Sequence, residues 1–321
     1  MTPESTPVEI DIPAKLQALL RDVGPRWAAS GSVAENVALM CREFAPVLAR
    51  APKQGVTVVP DIAYGAHPRQ RLDLFAPDRS DSATKSQGLP VVVFVHGGAF
   101  VDGDKNKNDE IYANVLHYFA RNGFVGINLE YRLAPEFAYP SGTEDVALAM
   151  DWVRARVAEH GGDASRVFLI GHSSGAAHAA SYAYDPAFQP TEGNGLRGLV
   201  VLSGRVRADF DPANPNIRKV QAYYGTDASL LEQRSALSKV AADSVPTFIG
   251  FAEFENPLID VHSLELASRI AKATGKSPRL AYLRGHNHTS LIAHINTSED
   301  HLGREIRAFI DDILENEATR A

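Results

Sequence analysis

Ser173 stands in the pentapeptide Gly171-His172-Ser173-Ser174-Gly175, between the apolar run Val167–Ile170 and an alanine-rich stretch. Glycines two residues to either side of a serine let a strand and a helix fold sharply against each other, where a β-carbon would collide. Such a turn pushes the serine oxygen out of the sheet, in a strained backbone conformation. It leaves the Ser174 N–H near a helix N-terminus, pointing at whatever Ser173 attacks. The chemistry this suggests is nucleophilic catalysis. A lone hydroxyl is a weak nucleophile, so it needs a base, a third group to fix the tautomer of that base, and donors for the oxyanion that forms.

Three further stretches have residue types suited to those tasks. His96-Gly97-Gly98-Ala99-Phe100 follows an apolar run. Paired glycines let main-chain N–H groups approach a substrate unobstructed, so Gly97, Gly98 and Ser174 are the expected oxyanion donors, and His96 reads as a loop brace. In Arg284-Gly285-His286-Asn287-His288-Thr289-Ser290 either histidine can serve as the base. The H-x-H spacing also invites a metal, but no strong third ligand stands nearby, and neither a metal nor a cofactor is expected. Phe251-Ala252-Glu253-Phe254-Glu255-Asn256-Pro257-Leu258 offers Glu253 and Glu255 as the acid, with Asp260 further off. The order serine, acid, histidine along the chain is that of an α/β-hydrolase.

The elements that must carry these residues read as alternating strands and helices. Strands are expected at Val56–Val59, Arg71–Phe75, Pro90–Val95, Gly123–Leu129, Arg166–Ile170, Leu196–Leu202, Pro246–Phe251 and Arg279–Leu283. Helices are expected near 14–22, 33–50, 108–122, 145–160 and 299–316, with a polar surface loop over Asp78–Gly88. Near-continuous apolar strands imply a mainly parallel sheet covered by helices on both faces. The reactive residues then fall at the C-terminal ends of strands, where such sheets bind ligands. Residues 1–55 form a helical segment ahead of the core, punctuated by Gly24-Pro25 and Gly31. It reads equally as a cap over the site and as packing on the side of the core. Residues 56–321 read as the core, with a second cap inserted at about 205–243, a stretch too long for a plain connection.

With 321 residues and 45% hydrophobic composition, the chain can bury a large single core. A net charge of −7 and a pI near 5.9 argue against a nucleic-acid or anionic-membrane surface. Cys41 is the single cysteine, which excludes an internal disulfide and a thiolate metal cluster. Met1–Pro13 is acidic and polar and does not read as a secretory signal, and no run is apolar for long enough to span a bilayer. A cytoplasmic setting is the expectation. The oligomeric state is not legible at this level.

Taken together these stretches resemble esterases of the hormone-sensitive-lipase-like and kynurenine-formamidase-like group of α/β-hydrolases. The resemblance also rests on Tyr64-Gly65 with Leu72-Asp73-Leu74, on Tyr131-Arg132-Leu133-Ala134-Pro135-Glu136, and on Gly162-Asp163 leading into the pentapeptide. It covers roughly residues 56–316. It implies a serine carboxylic ester hydrolase acting on small-molecule substrates, short-chain or small aryl esters, with Ser173 as nucleophile, Gly97, Gly98 and Ser174 as oxyanion hole, and Asp145 as a structural aspartate. Arylformamidase activity and non-catalytic ligand binding on the same fold are the alternatives. Many relatives carry an aspartate where this chain has Asn256, which cannot be the acid; sliding one residue puts Glu255 there. His288-Thr289-Ser290-Leu291 matches one family pattern and Gly285-His286 another. The resemblance favours His288.

Overall fold

The computed structural model describes residues 10–28, 33–78, 88–106 and 110–318. Residues 1–9, Gly31 and most of the expected loop over Asp78–Gly88 therefore lie outside the described residues. Eight strands form one sheet: β1 (Val56–Ala63), β2 (Arg71–Pro77), β3 (Leu89–Val95), β4 (Val125–Leu129), β5 (Gly162–His172), β6 (Leu196–Leu202), β7 (Thr247–Phe254) and β8 (Arg279–Asn287). Their order is β1-β2-β4-β3-β5-β6-β7-β8. β2 pairs antiparallel with both β1 and β4, and the remaining pairs are parallel. This is the α/β-hydrolase fold.

The helices are α1 (Ala14–Val23), α2 (Val33–Leu48), α3 (Ala113–Arg121), α4 (Ser141–Arg156), α5 (Ser174–Tyr184), α6 (Ile217–Tyr224), α7 (Leu231–Arg234), α8 (Ile259–Thr274), α9 (Ser290–Ala293) and α10 (His301–Ala318). Side chains alternate across a strand, so each central strand feeds two cores. Val92, Phe94, Phe168, Ile170, Val200 and Phe248 face a layer built from α1, α2, α3 and α10. Val91, Val93, Val95, Val167, Leu169 and Ile249 face α4, α5 and α8. Burial on both sides is why these strands read as unbroken apolar runs in the sequence.

Most expected elements are present with shifted ends. The helix expected near 108–122 begins only at Ala113, and residues 107–109 lie outside the described set. α4 starts four residues earlier than expected, directly after Pro140, and passes at Val157–His160 into a 3₁₀ turn closed by left-handed Gly161. β7 and β8 run past their expected ends, to Phe254 and Asn287, which brings the candidate acids and bases to the rim of the sheet. α1 and α2 also contribute to the core. Trp27, Met40 and Phe44 are fully buried in the same apolar cluster as α3 and α10. Among the described residues no helix is long and apolar enough to cross a membrane.

Candidate active site

Ser173 sits between the last residue of β5 and the first of α5, with φ 56° and ψ −121°. That is a conformation L-residues avoid, so the surroundings must impose it. Its N–H donates to the Leu202 carbonyl at 2.9 Å, and its own carbonyl accepts from Arg205 and Ala176 at 3.2 Å each. The flanking glycines are required sterically. A β-carbon on Gly171 would lie 2.5 Å from the Ala176 Cα, and one on Gly175 would lie 2.2 Å from the Val95 carbonyl oxygen.

Three side chains from three strand ends form one hydrogen-bonded line. The Ser173 hydroxyl lies 3.0 Å from His288 Nε2, and His288 Nδ1 lies 2.6 Å from Glu255 Oε2. Glu255 is buried, and its other oxygen accepts from the Ala252 N–H at 2.8 Å and from the Ser203 hydroxyl at 2.5 Å. The base is also held through its main chain. The His288 N–H donates to the Phe254 carbonyl at 3.1 Å, and the His288 carbonyl lies 3.1 Å from His172 Nε2.

The other candidates have different partners. Glu253 is exposed and accepts from the Gly285 N–H at 2.7 Å. Asp260 is exposed in the first turn of α8. His286 bonds Ser290 Oγ at 3.2 Å and packs at a tilt against His294 with 4.2 Å between ring centroids, so the two histidines of the H-x-H pair serve different neighbours. Burial, with the nearby charge of His301, pulls the pKa of His286 down to about 4. Among the described residues no group of three or more His, Cys, Asp or Glu side chains is placed to hold a metal ion.

The glycine loop is braced from beneath. His96 is fully buried, with Nδ1 2.8 Å from the Gly97 carbonyl and Nε2 3.1 Å from Glu130 Oε1. Tyr131 donates to the His96 carbonyl at 2.9 Å, and Arg69 pairs with Glu130. Burial pushes the Glu130 carboxyl up, but His96 and Arg69 pull harder, and its pKa ends below the usual range. Gly97, expected as an oxyanion donor, has its N–H turned to the Tyr112 phenol oxygen at 3.3 Å. Its contribution is the absence of a side chain, since a β-carbon there would lie 2.9 Å from Ser173 Cβ. Gly98 follows at φ +154°, where a β-carbon would strike the Asp102 carbonyl, and Ala99 takes a left-handed φ of 51°.

Above these groups opens a cavity of about 610 Å³. Its floor includes Gly97, Gly98, Ala99, His172, Ser173 and His288. One wall is a single face of α2, with Ala34, Val37, Ala38, Cys41 and Ala45. Asn216 and Lys219, at the start of α6, line the cavity from the segment between β6 and β7. That segment is tied to the glycine loop by stacking of Tyr223 on Phe100, with centroids 4.8 Å apart and planes within 6°.

Residues 72–195 match the BD-FAE family model. Esterase LipC of Mycobacterium tuberculosis is 38% identical over 131 residues, 40% of this chain and 31% of that one. Versiconal hemiacetal acetate esterase of Dothistroma septosporum is 27% identical over 168 residues, 52% of this chain and 48% of that one. Among solved structures, esterase B of Lactobacillus rhamnosis superposes with a TM-score of 0.73 at 19% identity, covering 96% of this chain and 99% of that one. The likeness to that structure is one of fold, that of the α/β-hydrolases. The chain spans less than half the length of the curated relatives it matches.

Two residues of the site's frame, Ser203 and Tyr112, are not singled out by the sequence motifs. Ser203 follows β6 directly, the same kind of position that singled out Ser173 after β5, and that rule could have found it. Tyr112 had no such signal, because its link to Gly97 and His172 is made only in three dimensions. Asp145, read as structural, accepts from the Arg132 N–H at 2.7 Å and from Gln70 at 2.8 Å, away from the line through Ser173.

Proposed function

We propose that the chain is a serine carboxylic ester hydrolase acting on small-molecule esters. The carrying observation is the line from Ser173 Oγ through His288 to Glu255, with contacts of 3.0 and 2.6 Å. Ser173 attacks the ester carbonyl carbon while His288 Nε2 takes its proton. Glu255 accepts from Nδ1–H, which keeps Nε2 free to act as base and stabilises the imidazolium that follows. The tetrahedral intermediate collapses, the carbonyl re-forms, and the leaving alkoxide takes the proton back from His288. Water then repeats the sequence on the acyl-enzyme and returns the free acid.

The oxyanion donors in this reading are the main-chain N–H groups of Gly98, Ala99 and Ser174. Gly97 drops out of the set because its N–H is engaged by Tyr112. Ala99 enters because it lines the cavity next to Gly98 and Ser173. Losing one such donor typically costs about 3 kcal/mol of barrier. The faces of α2 and α6 serve as the two sides of a roof over the acyl and alcohol groups. The names of the relatives favour an ester over a formamide.

The test combines a panel of p-nitrophenyl esters with a serine-directed phosphonate. Hydrolysis of the esters and a stoichiometric adduct on Ser173 are expected. Absence of both would leave a ligand-binding protein on the same fold, and preferential turnover of N-formylkynurenine would move the reading to an arylformamidase.

A further inference from the structure

Asn256 follows directly on Glu255, is buried, and lines the cavity. Its side-chain oxygen accepts a hydrogen bond of 2.9 Å from the indole N–H of Trp27, 229 residues away in sequence. Trp27 is itself 1% exposed. Its carbonyl accepts from the Asn36 side chain of α2 at 3.0 Å. A second contact runs beside the first. Gly24 lies so close beneath Phe254 that a β-carbon there would be 2.4 Å from the ring, and the Phe254 carbonyl is the group that holds the His288 N–H. The turn from Gly24 to Trp27 therefore meets the loop of the acid, and through it the base, on one side. On the other it is bound to the helix that forms a cavity wall.

Apolar packing holds α2 against the core but specifies its sliding position weakly. A hydrogen bond fixes both distance and direction. We infer that the Trp27–Asn256 hydrogen bond is a clamp that determines specificity: it sets the height and register of α2 over Ser173, and so the length of acyl chain the cavity accepts. Both are positioning residues, acting through α2 and the acid loop. The inference rests on the ester-hydrolase reading above.

The alternative is that the bond contributes stability alone, and the two roles separate cleanly. Trp27→Phe and Asn256→Leu each strand one buried polar partner, so each lowers the melting temperature. The double variant removes both partners and regains most of that loss. Under the clamp, the double variant nonetheless keeps an altered chain-length profile. Its ratio of kcat/KM for p-nitrophenyl octanoate over butyrate shifts about five-fold or more from wild type, chiefly through KM. Asn256→Asp, which keeps an oxygen for the indole, holds the wild-type ratio. A ratio that returns to wild type together with the melting temperature, or that never moves, overturns the clamp. So does an Asn256→Asp shift as large as that of the double variant. Phosphonate labelling of Ser173 in every variant keeps the two proposals apart: intact labelling with an unmoved profile defeats the clamp alone. A wild type that neither labels nor hydrolyses any ester defeats the hydrolase reading and the clamp's role in specificity with it.

Discussion

The floor and the roof of the cavity are held by different physics. On the floor, Ser173, His288 and Glu255 are fixed by short hydrogen bonds and by main-chain groups that have no alternative position. Steric limits add to this, since neither Gly171 nor Gly175 has room for a methyl group. The roof is held mostly by apolar and aromatic packing, with small side chains from α2 on one side and the Tyr223–Phe100 stack behind α6 on the other, and by the single Trp27–Asn256 hydrogen bond. Packing tolerates a change of volume at modest cost, whereas a proton-transfer line does not tolerate an ångström. The floor should therefore govern turnover and the roof should govern which ester is turned over.

The largest effects should come from breaking the floor. Ser173→Ala and His288→Ala are each expected to lower kcat by about 10⁴-fold or more, and the double variant should be no worse, because the two act as a unit. Glu255→Gln should cost about 10⁴-fold, since an amide cannot stabilise the imidazolium and favours the wrong tautomer. Glu253→Gln and His286→Ala should stay within about ten-fold of wild type, as residues outside that unit. Steady-state kinetics on one short-chain ester decides all of these, and a crippled Glu253→Gln would reassign the acid.

Next in size is Ser203→Ala. It removes one of two donors to Glu255 Oε1 and leaves the Ala252 N–H in place. A loss of about ten-fold in kcat is expected, with KM little changed, since the donor acts on a charged acceptor. An unchanged kcat would show that the Ala252 N–H alone orients the acid.

A roof change should act on selectivity. Ala38→Phe fills space on the cavity face of α2. It should cut kcat/KM on octanoate esters by about ten-fold or more and leave acetate esters nearly untouched. Equal loss on both would mean that the α2 face is not where the acyl chain lies.

The sequence made the elbow plain because its cause is local. A strand, two glycines and a small-residue helix within eleven positions leave one geometry for Ser173. The acid and the base were ambiguous for an equally physical reason. Residues two apart on a strand share a face, so Glu253 and Glu255, or His286 and His288, cannot be told apart until the strand ends. β7 stops at Phe254 and β8 at Asn287, so in each pair the second member lies past the last strand residue. A glycine pair permits an open N–H at Gly97 but does not fix its direction, and Tyr112 supplies a partner that no spacing rule anticipates. The choice between cap and core packing for the first helices had no single answer, since α2 shows Ala34 and Ala38 to the cavity and buries Met40 and Phe44.

The smallest expected effect concerns pH. Burial holds His178 and His294 at about 3 and His117 and His286 at about 4, below their ordinary 6.5. The unfolded chain takes up these protons before the native one does, so stability is fully present above pH 6.5 and is lost as pH falls towards 4. Melting temperature should decline through that window, and His178→Phe should flatten the slope. A melting temperature constant from pH 7 to pH 4 would refute the buried-neutral histidines.

The backbone at Ser173 carries a last consequence, for evolution. A φ of 56° with ψ of −121° suits glycine better than any residue with a β-carbon. Ser173→Gly should therefore melt higher than Ser173→Ala, and higher than the natural chain, while hydrolysing nothing. Under the hydrolase reading, selection for folding and selection for turnover pull in opposite directions at this position. A lineage released from the need to hydrolyse esters would be expected to lose the serine to glycine early, and to keep the rest of the fold intact.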